Sequence, residues 1–195
     1  MSFVSITATT DFISIMSDGL VMNGDLAVHE RMKKYTVIDN RAFIAYTGVL
    51  ENITFILNLL PLTHYDFERW THEICALIKN NLSSMPFPDG QCFFAIGGIS
   101  DKNRVEYFAF GTHIETKPRP YLPIEGNPRT TFLNGVVAAS LPLSGKYNEY
   151  LNKTPKISVN DYVYAQKMLN DYVATFDPTV NNQIHNAVIE KALFI

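Results

Sequence analysis

A surplus of charge of either sign is what this chain most lacks. Its 195 residues carry 16 Lys and Arg against 19 Asp and Glu, a formal net charge of −3. Nucleic-acid binders gather basic residues into a patch, so no nucleic-acid partner is expected. Cysteine is scarce too: Cys75 and Cys92 are the only two. Two cysteines make no disulfide framework, and both read as small core residues in a reducing, cytoplasmic setting. No apolar run is long enough to cross a membrane as a helix, so no membrane association is expected. The first residues lack the basic segment and long apolar core of a secretory signal. The histidines at 29, 64, 72, 113 and 185 form no i,i+4 pair, and there is no Cys-x-x-Cys. Neither a metal nor a cofactor is therefore expected. Glycine-rich phosphate loops and the Gly-x-Ser-x-Gly elbow are missing as well.

What remains is a chain that is 47% hydrophobic, enough for one well-buried core over residues 1–195. The start reads as closely spaced strands, hence antiparallel hairpins. Residues 10–17 are β-rich and end on Ser17-Asp18-Gly19, a hairpin signal. Strands are expected over 20–28, 35–38 and 41–47, with a turn at Asp39-Asn40. Phe3-Val4-Ser5-Ile6-Thr7 is β-like and can extend the first strand. Apolar spacing at Leu50, Ile53, Leu57 and Leu60 predicts a helix that Pro61 stops. A second helix begins after Asp66 as N-cap, with Phe67, Trp70, Ile74, Leu77 and Ile78 on one face. Strands follow at 91–99 and 104–111 around Ser100-Asp101-Lys102-Asn103. The proline-rich 116–129 stretch reads as a surface connection. Residues 132–141 are a strand, then a helix broken at Pro142. Ser158 and Asp161 form a capping box that opens a helix reaching Phe176. Residues 184–195 are the last strand. Strands grouped in runs argue for an α+β fold, two packed antiparallel sheets with helices outside.

Chemistry-bearing residues gather near the start. Asp25 sits inside an apolar strand, where an acidic side chain is usually paired or functional. Thr9-Thr10, Ser17-Asp18-Gly19-Leu20-Val21, Gly24-Asp25, Met32-Lys33-Lys34 and Thr47-Gly48 before a helix together resemble a proteasome β-type subunit. Asp177-Pro178 followed by a strand with Ala187-Val188-Ile189 matches that family's end. The resemblance implies a four-layer αββα sandwich of the N-terminal-nucleophile hydrolases, assembled into rings, here as a homo-oligomer. It also implies chemistry by an N-terminal threonine, whose hydroxyl attacks an amide while its own α-amine takes the proton.

On this resemblance Thr9 takes the nucleophile position, sixteen residues before Asp25 as supporting aspartate. Lys34 takes the lysine position, with Lys33 the near alternative. Gly48 supplies the oxyanion N–H, and Asp177 stands near the threonine amine. Departures accompany these matches. Ala8 precedes Thr9 where the family has glycine. Ala27 replaces an arginine, Val180 a serine, and Asn134-Gly135-Val136-Val137 replaces a Gly-Ser-Gly-Ser stretch. Two functions follow. One is a threonine amidohydrolase acting on a peptide or amide substrate, activated by cleavage before Thr9. The other is a non-catalytic, ring-forming structural or interaction protein with an unprocessed N-terminus.

Overall fold

The computed structural model describes residues 2–23, 26–60, 67–112, 120–153 and 158–191. Strand β1 (Val4–Ala8) turns at 9–11 into β2 (Phe12–Asp18), pairing Val4 with Ser17 and Ala8 with Ile13. Both strands are buried along their whole length. Their period of two sends Val4, Ile6, Ile13 and Ile15 into one core and Ser5, Thr7 and Ser14 to the other face. A polar residue buried there needs a partner. Thr7 meets the Tyr147 hydroxyl at 2.8 Å, and Ser14 donates to Gln166 Oε1 at 2.6 Å.

The first strand is thus the β-like 3–7 segment, and Thr9 falls after it. The expected 20–28 strand is instead a hairpin, β3 (Val21–Asn23) and β4 (Leu26–His29). Its sequence break is Asn23-Gly24, a strong turn dipeptide. Next come β5 (Tyr35–Ile38) and β6 (Ala42–Gly48), joined where expected. Asp39 and Asn40 have φ of 50° and 52°, the left-handed pair a two-residue hairpin needs. Helix α1 (Leu50–Leu59) and helix α2 (Phe67–Asn80) occupy the expected stretches; Pro61 and Asp66 lie outside the described residues.

Strands β7 (Cys92–Ile99) and β8 (Val105–Gly111) complete an antiparallel sheet ordered β5-β6-β7-β8. Of the 116–129 connection, Tyr121 bridges to Tyr107 of β8, and 116–119 lie outside the described residues. Strand β9 (Arg129–Leu133) leads into a short α3 (Val136–Ala139). Pro142 does not end the helical region. It is the N-cap of an unexpected α4 (Leu143–Leu151), a position where its fixed φ and missing N–H cost little. Leu143, Tyr147 and Leu151, four residues apart, give α4 its buried face. Helix α5 (Val159–Phe176) opens on the expected Ser158–Asp161 capping box. Strand β10 (Ile184–Glu190) closes the second sheet, ordered β10-β2-β1-β9, and 192–195 lie outside the described residues.

All pairings in the two four-stranded sheets are antiparallel. One apolar core joins Ile44, Tyr46 and Phe94 to Ile53, Ile56, Trp70 and Ile74 of α1 and α2. A second joins the two sheets, Ile6 and Ile15 meeting Phe43 and Tyr107. A third sets Phe3 and Phe12 against Tyr147, Leu169 and Val173 of α4 and α5.

Candidate active site

Ser2 stands just ahead of β1, and its neighbour Phe3 is anchored on both counts. The Phe3 ring is buried and lies 6.1 Å from the Phe132 ring, nearly parallel to it. The Phe3 N–H donates to Asp18 Oδ1 at 2.7 Å. Asp18, the last residue of β2, also binds Lys34 Nζ at 2.6 Å, and its Oδ2 accepts the Leu20 N–H at 2.9 Å. Lys34 donates to the Leu20 carbonyl at 2.7 Å. Both side chains are buried, 3% exposed for Lys34 and none of Asp18. A buried ion pair seldom stabilises a fold relative to apolar packing, so this one needs another reason to be there. Burial pushes the Lys34 ammonium below its ordinary value of 10.5, and Asp18 opposes that shift.

Ser2 opens onto a cleft of about 940 Å³ that Gly48, Val49 and Leu50 also line. Leu50 is the first residue of α1, so the positive end of that helix lies at the cleft. Gly48 has φ of +131°, a region L side chains rarely enter, and a Cβ there would strike the Gln91 carbonyl and Cys92. Burial pushes the Cys92 thiol up, which disfavours the thiolate a nucleophile requires. Thr179 lines the same cleft. Its N–H and hydroxyl donate to Asp177 Oδ1, at 3.0 and 2.6 Å, from the turn after α5. Asp177 is buried.

Of the sequence candidates, Gly48 lines the cleft, Asp177 reaches it through Thr179, and Lys34 is the lysine held by Asp18. Lys33 is instead exposed, with Nζ 4.5 Å from the Tyr35 ring centre. Asp25 lies outside the described residues. Thr9 sits at the other end of β1, a strand's length or roughly 23 Å of extended chain from Ser2. There its Oγ1 accepts the Asp11 and Phe12 N–H groups, both at 3.2 Å, and its own N–H donates to the Phe12 carbonyl at 2.9 Å. Thr9 closes a hairpin.

Sequence reasoning did not single out Ser2, which lines the cleft, or Asp18, which holds Lys34. The signal was available as spacing: sixteen residues separate Ser2 from Asp18, and sixteen more separate Asp18 from Lys34. Thr9 and Asp25 satisfy the first interval but leave Lys34 only nine residues away from Asp25.

No protein-family model matches the chain, and no curated protein matches it. Solved structures do. Anbu (ancestral beta-subunit) from Yersinia bercovieri superposes with a TM-score of 0.73 at 9% identity, covering 96% of this chain and 82% of that one. The eukaryotic HslV from Trypanosoma brucei superposes with a TM-score of 0.61, also at 9% identity, covering 96% of this chain and 99% of its own. The chain therefore has a proteasome-like fold. Among the described residues, no helix is long and apolar enough to cross a membrane.

Proposed function

We propose that this chain is an N-terminal-nucleophile amidohydrolase whose nucleophile is Ser2, uncovered by scission of the Met1–Ser2 bond. The observation that carries this reading is the buried Asp18–Lys34 pair, which takes the N–H of the residue following Ser2. It favours Ser2 over Thr9, whose nitrogen is a mid-chain amide donating to the Phe12 carbonyl. The three successive apolar cores support reading the fold as a four-layer αββα sandwich within one domain spanning 1–195.

In this mechanism the Ser2 hydroxyl attacks an amide carbonyl, and its proton passes to the free Ser2 α-amine, directly or through water. An α-amine titrates near ~8, close to operating pH, so it both accepts and returns a proton readily. The Lys34 ammonium keeps the hydroxyl and amine from holding protons too tightly, and Asp18 fixes the ammonium in place. The Gly48 N–H stabilises the oxyanion, aided by the positive end of α1. The protonated amine then delivers its proton to the leaving nitrogen. Water hydrolyses the remaining seryl ester by the same route in reverse. Thr179, carried by Asp177, supplies a hydroxyl at a wall where Val180 has none.

Ring-type homo-oligomers in the cytoplasm belong to the same proposal. They rest on the fold likeness and on the exposed apolar residues Leu26 and Val28, 73% and 47% exposed, near the cleft. The test is intact mass with N-terminal sequencing, followed by a serine-reactive electrophile. An N-terminus at Ser2, with the adduct on Ser2, is expected. A stable species retaining Met1 and forming no adduct would sink the reading and leave the non-catalytic ring-forming alternative.

A further inference from the structure

The cleft has one wall that the catalytic reading does not use. Residues 86–90, Pro-Phe-Pro-Asp-Gly, run between α2 and β7 and line the cleft together with Ser2. Two prolines stiffen this loop, and Met85 is buried just before it. Its fastening comes from a side chain in α1. Asn52, fully buried, accepts the Phe87 N–H at 2.9 Å through Oδ1. Its Nδ2 donates to the Phe87 carbonyl at 2.7 Å and the Gly90 carbonyl at 3.3 Å. Gly90 closes on the helix so tightly that a Cβ would come 2.7 Å from Val49 Cγ2. The loop is therefore fixed to the helix that follows Gly48, and Phe87, 53% exposed, is part of the cleft lining.

The chemistry of this enclosure is uneven. Val21, Met22 and Val28 give one apolar side and Phe87 with its prolines gives the other. Among the described lining residues the charged side chains are Glu51 and Asp89, and none is Lys, Arg or His. Five other described surface carboxylates, Asp101, Glu68, Glu73, Glu149 and Asp171, are bridged by lysine or arginine, whereas Asp11, Glu30, Asp39, Glu125 and Glu190, like the cleft pair, are in none of the described ion pairs. None of the described ion pairs includes Glu51 or Asp89. An apolar cleft with anionic edges attracts a ligand that is part apolar and part cationic, and repels carboxylates.

We infer that the cleft takes amide substrates presenting an apolar side chain beside a cationic one, selected by Glu51 and Asp89 and shaped by the Asn52-held loop. This rests on the Ser2 reading for the word substrate, but selection is measurable without turnover. Three acetyl-tripeptide aminocoumarin amides, identical except for a central lysine, leucine or glutamate, are titrated against the full chain carrying Ser2→Ala. Coumarin anisotropy reports binding. The lysine peptide should bind about tenfold more tightly than the glutamate peptide, with leucine between, and the gap should shrink at high salt.

Adding E51Q and D89N, both at exposed positions, should bring the lysine-to-glutamate ratio close to one. Asn52→Ala should weaken all three peptides alike. Equal binding, tighter binding of glutamate, binding of none of the three, or a ratio that survives E51Q/D89N would each overturn the inference. Coumarin release by the chain with Ser2 intact is read separately. Its absence alongside a lysine preference would remove the catalytic reading and leave the selectivity standing.

Discussion

The two ends of β1 carry the same functional group and do different things with it. At one end Thr9 places its oxygen against two backbone N–H groups and closes the turn into β2. At the other end Ser2 opens onto a cleft, one peptide bond from an aspartate that holds a buried lysine. The hydroxyls are nearly equivalent as chemistry, so their surroundings decide their use. The Thr9 hydroxyl is committed to the turn, its oxygen taken up by two backbone N–H groups and its nitrogen a peptide amide. Ser2 instead shares a cleft with Gly48 and precedes a residue whose N–H is held by Asp18 of a buried ion pair, the surroundings on which the proposed alkoxide chemistry rests.

The sharpest way to break this contrast is to exchange the two losses. Ser2→Ala should lower amide hydrolysis by about 1,000-fold or more, whereas Thr9→Ala should change it less than about twofold. Matched initial rates on one substrate decide it, and the reverse ranking would restore Thr9. Next in size is the ion pair. Lys34→Ala leaves Asp18 buried without its cation and should cost about 3–5 kcal/mol in urea unfolding. Thr9→Ala should cost about 1 kcal/mol, since the exposed Asp11 amide can turn to water and only the part-buried Phe12 amide loses its side-chain acceptor.

The pH profile sharpens the contrast further. If the Ser2 amine is the base, kcat/KM should rise through about pH 8 as that amine loses its proton. It should fall again before pH 10.5, because Lys34 acts as a cation and burial lowers its pKa. A profile flat from 7 to 9 would remove the amine from the mechanism. The smallest effect expected is Thr179→Val, which strips Asp177 of a 2.6 Å hydroxyl donor. Calorimetry should show a loss of about 1–2 kcal/mol, with activity reduced severalfold.

Much of the fold was legible because local signals agreed with it. Asp39-Asn40 has the residue types a left-handed turn tolerates, and Ser158 with Asp161 caps α5 as its spacing says. The hairpin at 21–29 was less visible, since its apolar residues run on through Asn23-Gly24 without a clear change of period. Helix α4 was hidden by Pro142, which looks like a breaker from one side and a helix start from the other.

Within the site, Lys34 pairs with Asp18, Gly48 lines the cleft and Asp177 holds Thr179, while the proposed nucleophile Ser2 stands seven residues before the expected Thr9. Spacing is degenerate: an interval of sixteen can be laid on Thr9 and Asp25 or on Ser2 and Asp18. Strand register is not degenerate. Pairing Val4 with Ser17 carries the end of β2 to the beginning of β1, and with it Asp18 to Phe3. That relation involves two distant stretches of chain, so no single stretch displays it.

The anchoring of Phe3 constrains how the protein can be handled. Its ring is fixed in the helix-side core and its N–H is fixed to Asp18, so the chain emerges at Ser2 already inside the cleft. On the Ser2 reading, whatever is joined to the Ser2 nitrogen starts within the cleft proposed to receive substrate. An affinity tag fused ahead of Ser2 would then be a stopper tethered in the bottle's neck, and on that reading removing it would be the same act as opening the bottle.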